Sequence, residues 1–316
     1  MEAEMTIQPT TLLDAMRHFS EAEVCIDFLA SLRWPNGITC LRCRSQAVTR
    51  LKTRSIWKCR EKTCRKQFSV KVGTIFEDSP IALDKWLCAI WMIVNAKNGV
   101  SSYEIHRSLG VTQKTAWFMS HRIRLALQRG SFQKKLSGQV EADETYIGGK
   151  ARFMHDDKRK EKIKGRGHSE TGKAIVMGVL ERHGQVRLEV MKGTTHDDLQ
   201  RMIRKNVEKG AEVFTDQLKS YIGLSAGYLH RVINHAEAYA KGRIHTQGIE
   251  NFWSLLKRGI KGTYVSVEPF HLFRYLDEQA FRFNTRRRTD LDRFIAAVSS
   301  ITGRRLQYQQ LIGQTS

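Results

Sequence analysis

Four cysteines constrain one segment of this chain more strongly than any other feature of its sequence. Cys40 and Cys43 form a first pair, fifteen residues follow, and Cys59 and Cys64 form a second pair. Pairs with this separation suit the two knuckles of a zinc ribbon, where four thiolates hold one Zn²⁺ tetrahedrally. The segment is too polar to fold without a metal, so we predict structural zinc. The alternative is a set of free core cysteines.

Positive charge is concentrated on the same segment. The 316 residues carry 53 Lys and Arg against 32 Asp and Glu, a net charge of +21. Between residues 38 and 71, eleven Lys or Arg accompany a single acid, Glu61. Such a surplus favours a polyanionic partner, because each neutralised phosphate releases condensed counterions. Nucleic acid is the favoured partner, and a basic zinc ribbon is most simply explained as a DNA clamp.

The remaining bulk features argue against a membrane or secreted protein. No stretch approaches 18 uninterrupted apolar residues, and the N-terminus lacks the apolar region of a signal peptide. We therefore expect no membrane partner and a cytoplasmic location, where six cysteines do not form a disulfide framework. The two cysteines outside the quartet, Cys25 and Cys88, are expected to be core residues.

Helices are predicted on both sides of the cysteine segment. Ser20 and Glu23 have the spacing of a capping box that opens a short helix. An almost entirely apolar helix is predicted at 80–97, followed by helices at 101–108 and 112–128 around a turn at Gly110, the pattern of a helix-turn-helix. Its second helix is expected to present polar residues to DNA, namely Gln113, Lys114, His121 and Arg124, while Ala116, Ile123 and Leu127 pack. An ordinary helical hairpin is the alternative.

The second half of the chain has the pattern of an α/β domain. The sequence QVEADETYI at 139–147 alternates polar and apolar residues as a strand does. Further strands are predicted at 173–180, 185–191, 211–215 and 231–233, with a helix at 197–209 and another before the last strand, which together indicate a mixed sheet. Between the first two strands, residues 148–172 are rich in Lys, Arg and Gly. They are interpreted as a mobile basic loop, although simple solvation would explain them equally well.

Three acids occupy positions where carboxylates are costly or unexpected. Asp143 lies within the first strand, Asp216 ends the fourth, and Glu250 opens a later helix. A carboxylate in an apolar strand needs a cation or another partner. Mg²⁺ prefers such oxygen ligands, and three acids from separate elements suffice to hold two ions about 4 Å apart. The alternative is that Asp216 caps a helix and Asp143 is a paired structural acid.

The helix that carries the third acid is amphipathic. On a helical wheel of residues 248–262, Glu250, Lys257 and Lys261 share one side. The opposite side is apolar, formed by Phe252, Leu255, Leu256 and Ile260 with Trp253 at its edge. This arrangement predicts a packed helix that directs one acid and two lysines towards a site, whereas a solvated face with helix-stabilising charge pairs is the alternative.

Taken in order, these motifs resemble the DDE transposases of bacterial insertion sequences. They resemble most the group with an N-terminal zinc ribbon and a lysine seven residues after the third acid. The resemblance rests on VEADETYIGGK, VFTDQLKSY and HTQGIENFWSLLKRGIKGTY, and also on CRKQFSVKVGTIFEDSP and FHLFRYLDEQAFRFNTRR, so that it spans about residues 20–290.

The resemblance implies an RNase H-like core and metal-dependent DNA cleavage and strand transfer with Mg²⁺ or Mn²⁺, two ions per site. It makes Asp143, Asp216 and Glu250 the metal ligands and Lys257 a basic residue near the DNA, with Lys261 as a further DNA contact. Transposon ends and target would be the DNA partners, and joining two ends calls for at least two protomers. We expect the order N-terminal helical segment 1–37, zinc ribbon 38–72, helix-turn-helix region 80–129, catalytic domain 135–290 and helical tail 291–316.

Two other functions are compatible with parts of the sequence. A transcriptional regulator with an inactive core would explain the charge and the helix-turn-helix but would leave the three acids without a role. A purely hydrolytic nuclease of the RNase H kind would use the acids but has no reason for two DNA-binding modules. A covalent recombinase is not favoured, because no Ser or Tyr stands in a comparable constellation. His235 and His245 lie near the third acid in sequence, where surface positions are the simpler interpretation.

Overall fold

The structure is a computed structural model that describes residues 9–128, 134–148, 173–216, 219–233 and 245–314. The chain divides into two compact units, Met1–Gln128 with Arg287–Ser316 and Arg129–Arg286. The C-terminal segment, expected as a separate tail from residue 291, thus belongs to the first unit. Most of the predicted basic loop at 148–172, and His235, lie outside the described residues.

The described elements are as follows. The helices are α1 (Leu12–His18), α2 (Ala22–Arg33), α3 (Leu83–Asn95), α4 (Ser102–Leu109), α5 (Gln113–Leu127), α6 (His196–Asn206), α7 (Gln247–Gly259), α8 (Leu272–Asn284), α9 (Asp290–Val298) and α10 (Tyr308–Leu311). The strands are β1 (Val48–Leu51), β2 (Ile56–Cys59), β3 (Gln67–Phe68), β4 (Gln139–Ile147), β5 (Ala174–Glu181), β6 (Val186–Met191), β7 (Glu212–Thr215) and β8 (Leu229–Val232). None of these helices is both long enough and apolar enough to cross a membrane.

In the first unit, the cysteine-rich segment forms a small antiparallel sheet of order β1-β2-β3. Its core is aromatic, because Trp57 and Phe68 are 1% and 2% exposed and Trp34 packs against both rings. The predicted capping box of Ser20 and Glu23 is wrong, since α2 begins without a side-chain cap. The Glu23 carboxylate instead pairs with Arg50 and accepts a hydrogen bond from the Ser55 hydroxyl at 2.7 Å.

The predicted run of three helices is present in the same unit. Capping explains why α4 begins and ends where it does, since Ser101 and Glu104 form a capping box and Gly110 takes a left-handed conformation with φ of +60°. The Thr112 hydroxyl then caps α5 by accepting from the amide of Thr115. The predicted packing residues are buried, as are both cysteines outside the quartet: Ala116, Ile123, Leu127, Cys25 and Cys88.

The C-terminal helix α9 completes the core of the first unit. Its Phe294 is fully buried, stacks on Phe28 of α2 and packs against Trp91 of α3. Asn95 of α3 donates a hydrogen bond to the Asp290 carbonyl at 3.3 Å. The first unit is therefore built from both ends of the chain, with the second unit inserted between them.

The second unit is organised around a five-stranded sheet of order β6-β5-β4-β7-β8. Within this sheet, β4, β5 and β6 pair antiparallel, while β7 and β8 run parallel to β4. This is the mixed sheet that the sequence predicts, with the bounds of β4 as expected and the others within two residues. The helix expected before the last strand is absent from the residues that the structure describes. The described residues there form short 3₁₀ turns at Lys219–Tyr221 and Leu224–Ala226.

Helices cover both faces of this sheet. Helix α6 packs on one face, where the buried cluster includes Val140, Ala142, Met177, Val179, Leu199, Met202 and Ile203. Helices α7 and α8 pack on the other, where the cluster includes Val176, Leu180, Ile249, Phe252, Trp253, Leu256, Tyr275 and Leu276. Because successive residues of a strand point to opposite faces, Asp143 shares the α7 face with Glu141, while Glu144 points to the other face.

Helix α7 has the amphipathicity that its sequence predicts. Its apolar stripe is buried, with Phe252 and Leu256 at 0% and 2% exposure, whereas Glu250 is exposed and Lys257 half-buried. After Gly259 the chain continues for one π-helical turn, Ile260–Tyr264. Lys261 lies exposed in that turn.

Candidate active site

The candidate site begins with Asp143 in the middle of the central strand β4. Its backbone pairs with Gly178 of β5, whose missing side chain leaves room for the indole of Trp253. A methyl group at Gly178 would come within 2.7 Å of that ring. The indole N–H of Trp253 donates to Asp143 Oδ2 at 2.8 Å, so that helix α7 contacts the acid directly.

Asp216 follows the end of β7, the parallel neighbour of β4. The register pairs Gln139 with Glu212 and Glu141 with Phe214. Continued by two residues, the same register brings Asp216 level with Asp143, on the same face of the sheet. The sequence argument that two neighbouring strands bring these acids together is consistent with this register.

Glu250 lies in the first turn of α7, on the helix that covers the same face. The Thr246 hydroxyl donates to its Oε1 at 2.7 Å, which orients the carboxylate. Its neighbour Asn251 is exposed and lies about 100° further around the helix.

Electrostatics link the three acids. Burial first, and then the charges of Asp216 and Glu250, raise the pKa of Asp143 to about 6 against the opposing effect of the Trp253 hydrogen bond. Like charges held in one place without a cation are mutually repulsive, and hard divalent cations with carboxylate ligands relieve that repulsion. The donor set therefore fits Mg²⁺ or Mn²⁺. Among the described residues, the cysteine quartet is the one group whose ligand atoms all lie within 4.8 Å, so the acids are spread more widely than a single-ion cage.

Lysines flank this carboxylate group. Partial burial lowers the pKa of Lys257, the charges of Lys261 and Lys173 lower it further, and Asp143 raises it. Lys257 is therefore within electrostatic range of Asp143, as its position on the Glu250 side of the helix predicts.

Glu144 is a fourth carboxyl group that the sequence argument passed over. It lies on the opposite face of β4, where it accepts a hydrogen bond from the Tyr221 hydroxyl at 2.6 Å. Burial first, and then the charges of Asp216 and Asp143, raise its pKa to about 7, although the Tyr221 hydrogen bond opposes the shift. The tyrosine is 1% exposed, and its own pKa is raised well above the usual value, first by burial. The only signal in the sequence is its adjacency to Asp143.

The four cysteines of the predicted zinc ribbon lie close together, as expected. The sulfurs of Cys40 and Cys64 are 3.6 Å apart and those of Cys43 and Cys59 are 3.5 Å apart, and all four cysteines are free thiols. Zinc–sulfur bonds of about 2.3 Å in a tetrahedron require sulfurs about 3.8 Å apart, so the quartet fits one Zn²⁺. Although burial alone would raise it, hydrogen bonds from the backbone of Cys43 and Arg42 lower the pKa of Cys40 to about 6.

The residues predicted to contact DNA from α5 are only partly available. Lys114 is exposed and lies over the ring of Tyr308, while Gln113 donates to the Ser102 hydroxyl at 2.9 Å. Arg124 and His121 are 2% and 0% exposed. Their prediction as DNA contacts is therefore wrong, because both project from the buried rather than the open side of α5.

His245, for which a surface position was the simpler expectation, is half-buried beside another acid. Its Nδ1 lies 3.5 Å from Oε1 of Glu141, and its carbonyl accepts a hydrogen bond from Arg182 at 2.6 Å. It contributes to a network at the start of α7 rather than to the carboxylates of the site.

Comparison with known proteins gives matches in both units. Residues 135–284 match the ISXO2-like transposase domain, and residues 20–67 match the transposase zinc-ribbon domain. A protein in the transposable element ISH50 of Halobacterium salinarum is 26% identical over 243 residues, covering 73% of this chain and 81% of that protein.

Solved structures give weaker likenesses. A chain in the crystal structure of a pre-cleavage Mos1 transpososome is 12% identical with a TM-score of 0.26, over 69% of this chain and 79% of that one. A chain in the Mos1 transposase paired-end complex with left transposon end is 13% identical with a TM-score of 0.21, over 68% of this chain and 79% of that one. Scores this low carry no inference. Residues 20–67 and 135–284 thus match two domains of transposases, which does not favour a regulator, and we conclude that this chain is an insertion-sequence transposase similar to the ISXO2-like (IS1595) group.

Proposed function

We propose that this transposase cuts and joins DNA at a divalent-metal site formed by Asp143, Asp216 and Glu250. The proposal is supported chiefly by the register of β4 and β7, which extends to bring Asp216 level with Asp143, and by the packing of α7, which carries Glu250, on that face of the sheet. The raised pKa of Asp143, due first to burial and then to the other two acids, supports it. The sheet order, three antiparallel strands followed by two parallel ones, resembles that of an RNase H-like core.

Each residue then has a defined task. Bound there, divalent cations would supply positive charge at the attacking and leaving oxygens of a phosphodiester. Trp253 holds the Asp143 carboxylate through its N–H, and Thr246 holds that of Glu250. Lys257 is placed to neutralise a phosphate of the terminal nucleotide and keep it in line for attack. In strand transfer a 3′-hydroxyl replaces water as the nucleophile, so one P–O bond forms as another breaks.

DNA binding is assigned to the first unit. The zinc ribbon would hold one structural Zn²⁺ through Cys40, Cys43, Cys59 and Cys64 and present its basic surface to phosphates. Helices α4 and α5 would act as a helix-turn-helix through Lys114 and Gln113, with Lys261 of the second unit as a further contact. Joining two transposon ends requires at least two copies of the chain in the working complex.

The decisive test compares two adjacent residues of α7. Glu250→Gln keeps the size and hydrogen bonding of the side chain but removes the charge that would hold a cation. With a duplex that carries the ends of the element encoding this chain, we expect cleavage to fall by at least about 100-fold while DNA binding stays within twofold. Asn251→Ala is the matched control and should cleave normally. Normal cleavage by Glu250→Gln would overturn the assignment of the third ligand.

A further inference from the structure

A second acid of β4, Glu141, lies outside the proposed metal site and is 1% exposed. Its Oε1 accepts a hydrogen bond from Nε of Arg182 at 2.8 Å. Its Oε2 accepts one from the backbone amide of Ile249, in the first turn of α7, at 2.9 Å. A carboxylate from the central strand thus serves as the N-terminal cap of a helix that is far away in the sequence.

Helix α7 does not supply this cap itself. The residue before it, Thr246, makes no side-chain hydrogen bond to the first-turn amides, because its hydroxyl donates to Glu250 instead. The carbonyl four residues before Ile249 belongs to His245 and accepts from Arg182. The amides of a first helical turn need acceptors, and a negative charge there is also favoured by the helix dipole. Glu141 provides both.

The approach of strand and helix depends on two glycines. A methyl group at Gly248 would lie 2.8 Å from Oε2 of Glu141, and one at Gly178 would lie 2.7 Å from the Trp253 ring. The glycines therefore allow the helix to approach closely enough for both hydrogen bonds to form.

The two contacts also match in spacing. Glu141 and Asp143 are two residues apart on β4, a rise of about 6.6 Å. Their partners on α7, Ile249 and Trp253, are four residues apart, a rise of about 6 Å. A pair of hydrogen bonds with equal spacing on strand and helix fixes both the translation and the rotation of the helix. Glu250 lies between the two points and is fixed with them.

We propose that Glu141 is a positioning residue, whose buried carboxylate caps α7 and sets the register in which Glu250 faces Asp143 and Asp216. The capping role stands on the contacts alone, and the consequence for metal binding rests on the proposed function. Arg182 orients the carboxylate, and its guanidinium also lies 4.0 Å from the centre of the Phe214 ring in β7, the strand that leads to Asp216.

The test uses the full chain and two readouts. In Glu141→Gln, the single amide oxygen serves only one of the two donors, Arg182 or Ile249, and the NH₂ group repels the other. The amides at the start of α7 should therefore exchange with deuterium at least tenfold faster, while exchange in the other elements of the unit changes little. Mn²⁺ alone, titrated into the DNA-free protein and followed by electron paramagnetic resonance, should bind at least fivefold more weakly. Glu278→Gln is the matched control, since Glu278 is also 1% exposed and paired with an arginine, Arg282 of α8. This control should change neither the deuterium exchange at the start of α7 nor the affinity for Mn²⁺.

The variant also removes the carboxylate that pairs with Arg182, so Glu141→Gln with Arg182→Gln separates this effect from the cap. The double variant should recover stability but not the slow exchange of α7. Exchange at α7 that does not accelerate, or that accelerates equally in every element, would overturn the cap. Faster exchange with unchanged Mn²⁺ affinity would overturn the positioning role. If Glu250→Gln also leaves Mn²⁺ affinity unchanged, the proposed metal site itself fails, and the exchange data still decide on the cap.

Discussion

Replacing Asp143 by Asn should stabilise the protein while it destroys the proposed site. Burial and the charges of Asp216 and Glu250 raise the pKa of Asp143 from 3.8 to about 6. At 1.36 kcal/mol per unit, keeping this carboxylate ionised costs the fold about 3 kcal/mol at neutral pH when no cation is bound. The amide of Asn is uncharged, and its oxygen is still able to accept the Trp253 N–H. Because its NH₂ group needs partners of its own, we expect a net gain of about 1–2 kcal/mol.

The pH dependence has a definite sign. A carboxyl whose folded pKa is raised is more readily ionised in the unfolded chain, so the stability of the wild type falls as pH rises from about 4 to 6 and stays low above that range. The advantage of Asp143→Asn should therefore be fully present at pH 8. At pH 5 the ionisation penalty is only about 1.6 kcal/mol, so the cost of burying the Asn amide nearly cancels it and the advantage should be close to zero.

Thermal unfolding in buffer without added divalent cation measures the effect. For a unit of roughly 150 residues, 1–2 kcal/mol corresponds to an increase in Tm of about 2–8 °C. Asp197→Asn is the control, because the side chain of this acid in α6 is 97% exposed. The Tm of this variant should equal that of the wild type. Added Mg²⁺ should stabilise the wild type and not Asp143→Asn. A variant Tm equal to or below that of the wild type at pH 8 would refute the account of repelling carboxylates.

Three further predictions concern zinc, DNA and the lysine of α7. Purified protein should contain about one zinc per chain, lost on replacing Cys40, Cys43, Cys59 or Cys64 and retained on replacing Cys25 or Cys88; intact protein without zinc would contradict the ribbon assignment. With about six phosphates engaged, log affinity for DNA should fall against log salt with a slope near −5, and a slope near zero would exclude the basic surface as the binding site. Lys257→Ala should reduce strand transfer at least tenfold with Mn²⁺ affinity unchanged in titrations, because an ammonium positions phosphate but does not ligate a cation; parallel loss of both would assign Lys257 to the metal site.

The periodicity of apolar residues in the sequence predicts much of the secondary structure. Alternation in 139–147 predicted β4 residue for residue, and the apolar stripe of α7 predicted which side of that helix is buried. The prediction that Asp143 and Asp216 lie close together has a similar origin, because the middle of one apolar strand and the end of another are unusual places for carboxylates. These signals are local, because the position of such a side chain depends on the strand or helix to which it belongs.

What escaped prediction depends on contacts between distant residues. Glu141 and Glu144 have the pattern of ordinary polar residues in a strand with one solvent-exposed face. Nothing in the local sequence shows that helices cover both faces of β4. Arg124 was assigned to an open face of α5, although the packing of that helix buries it. Glu23 has the spacing of a helix cap, but its carboxylate pairs with Arg50 and accepts a hydrogen bond from Ser55, both distant in sequence. In each case the partner lies far away in the sequence.

The construction of the first unit from both ends of the chain affects the order in which the protein matures on the ribosome. The apolar faces of α2 and α3 emerge roughly 200 residues before Phe294, which covers them, an interval of about 10–40 s at ordinary rates of translation. The inserted second unit has all of its residues once Arg286 has been made, whereas the nascent first unit still waits with exposed aromatic rings for the segment that contains Phe294. Premature termination after residue 286 would therefore release a complete catalytic unit attached to an aggregation-prone, unfinished one.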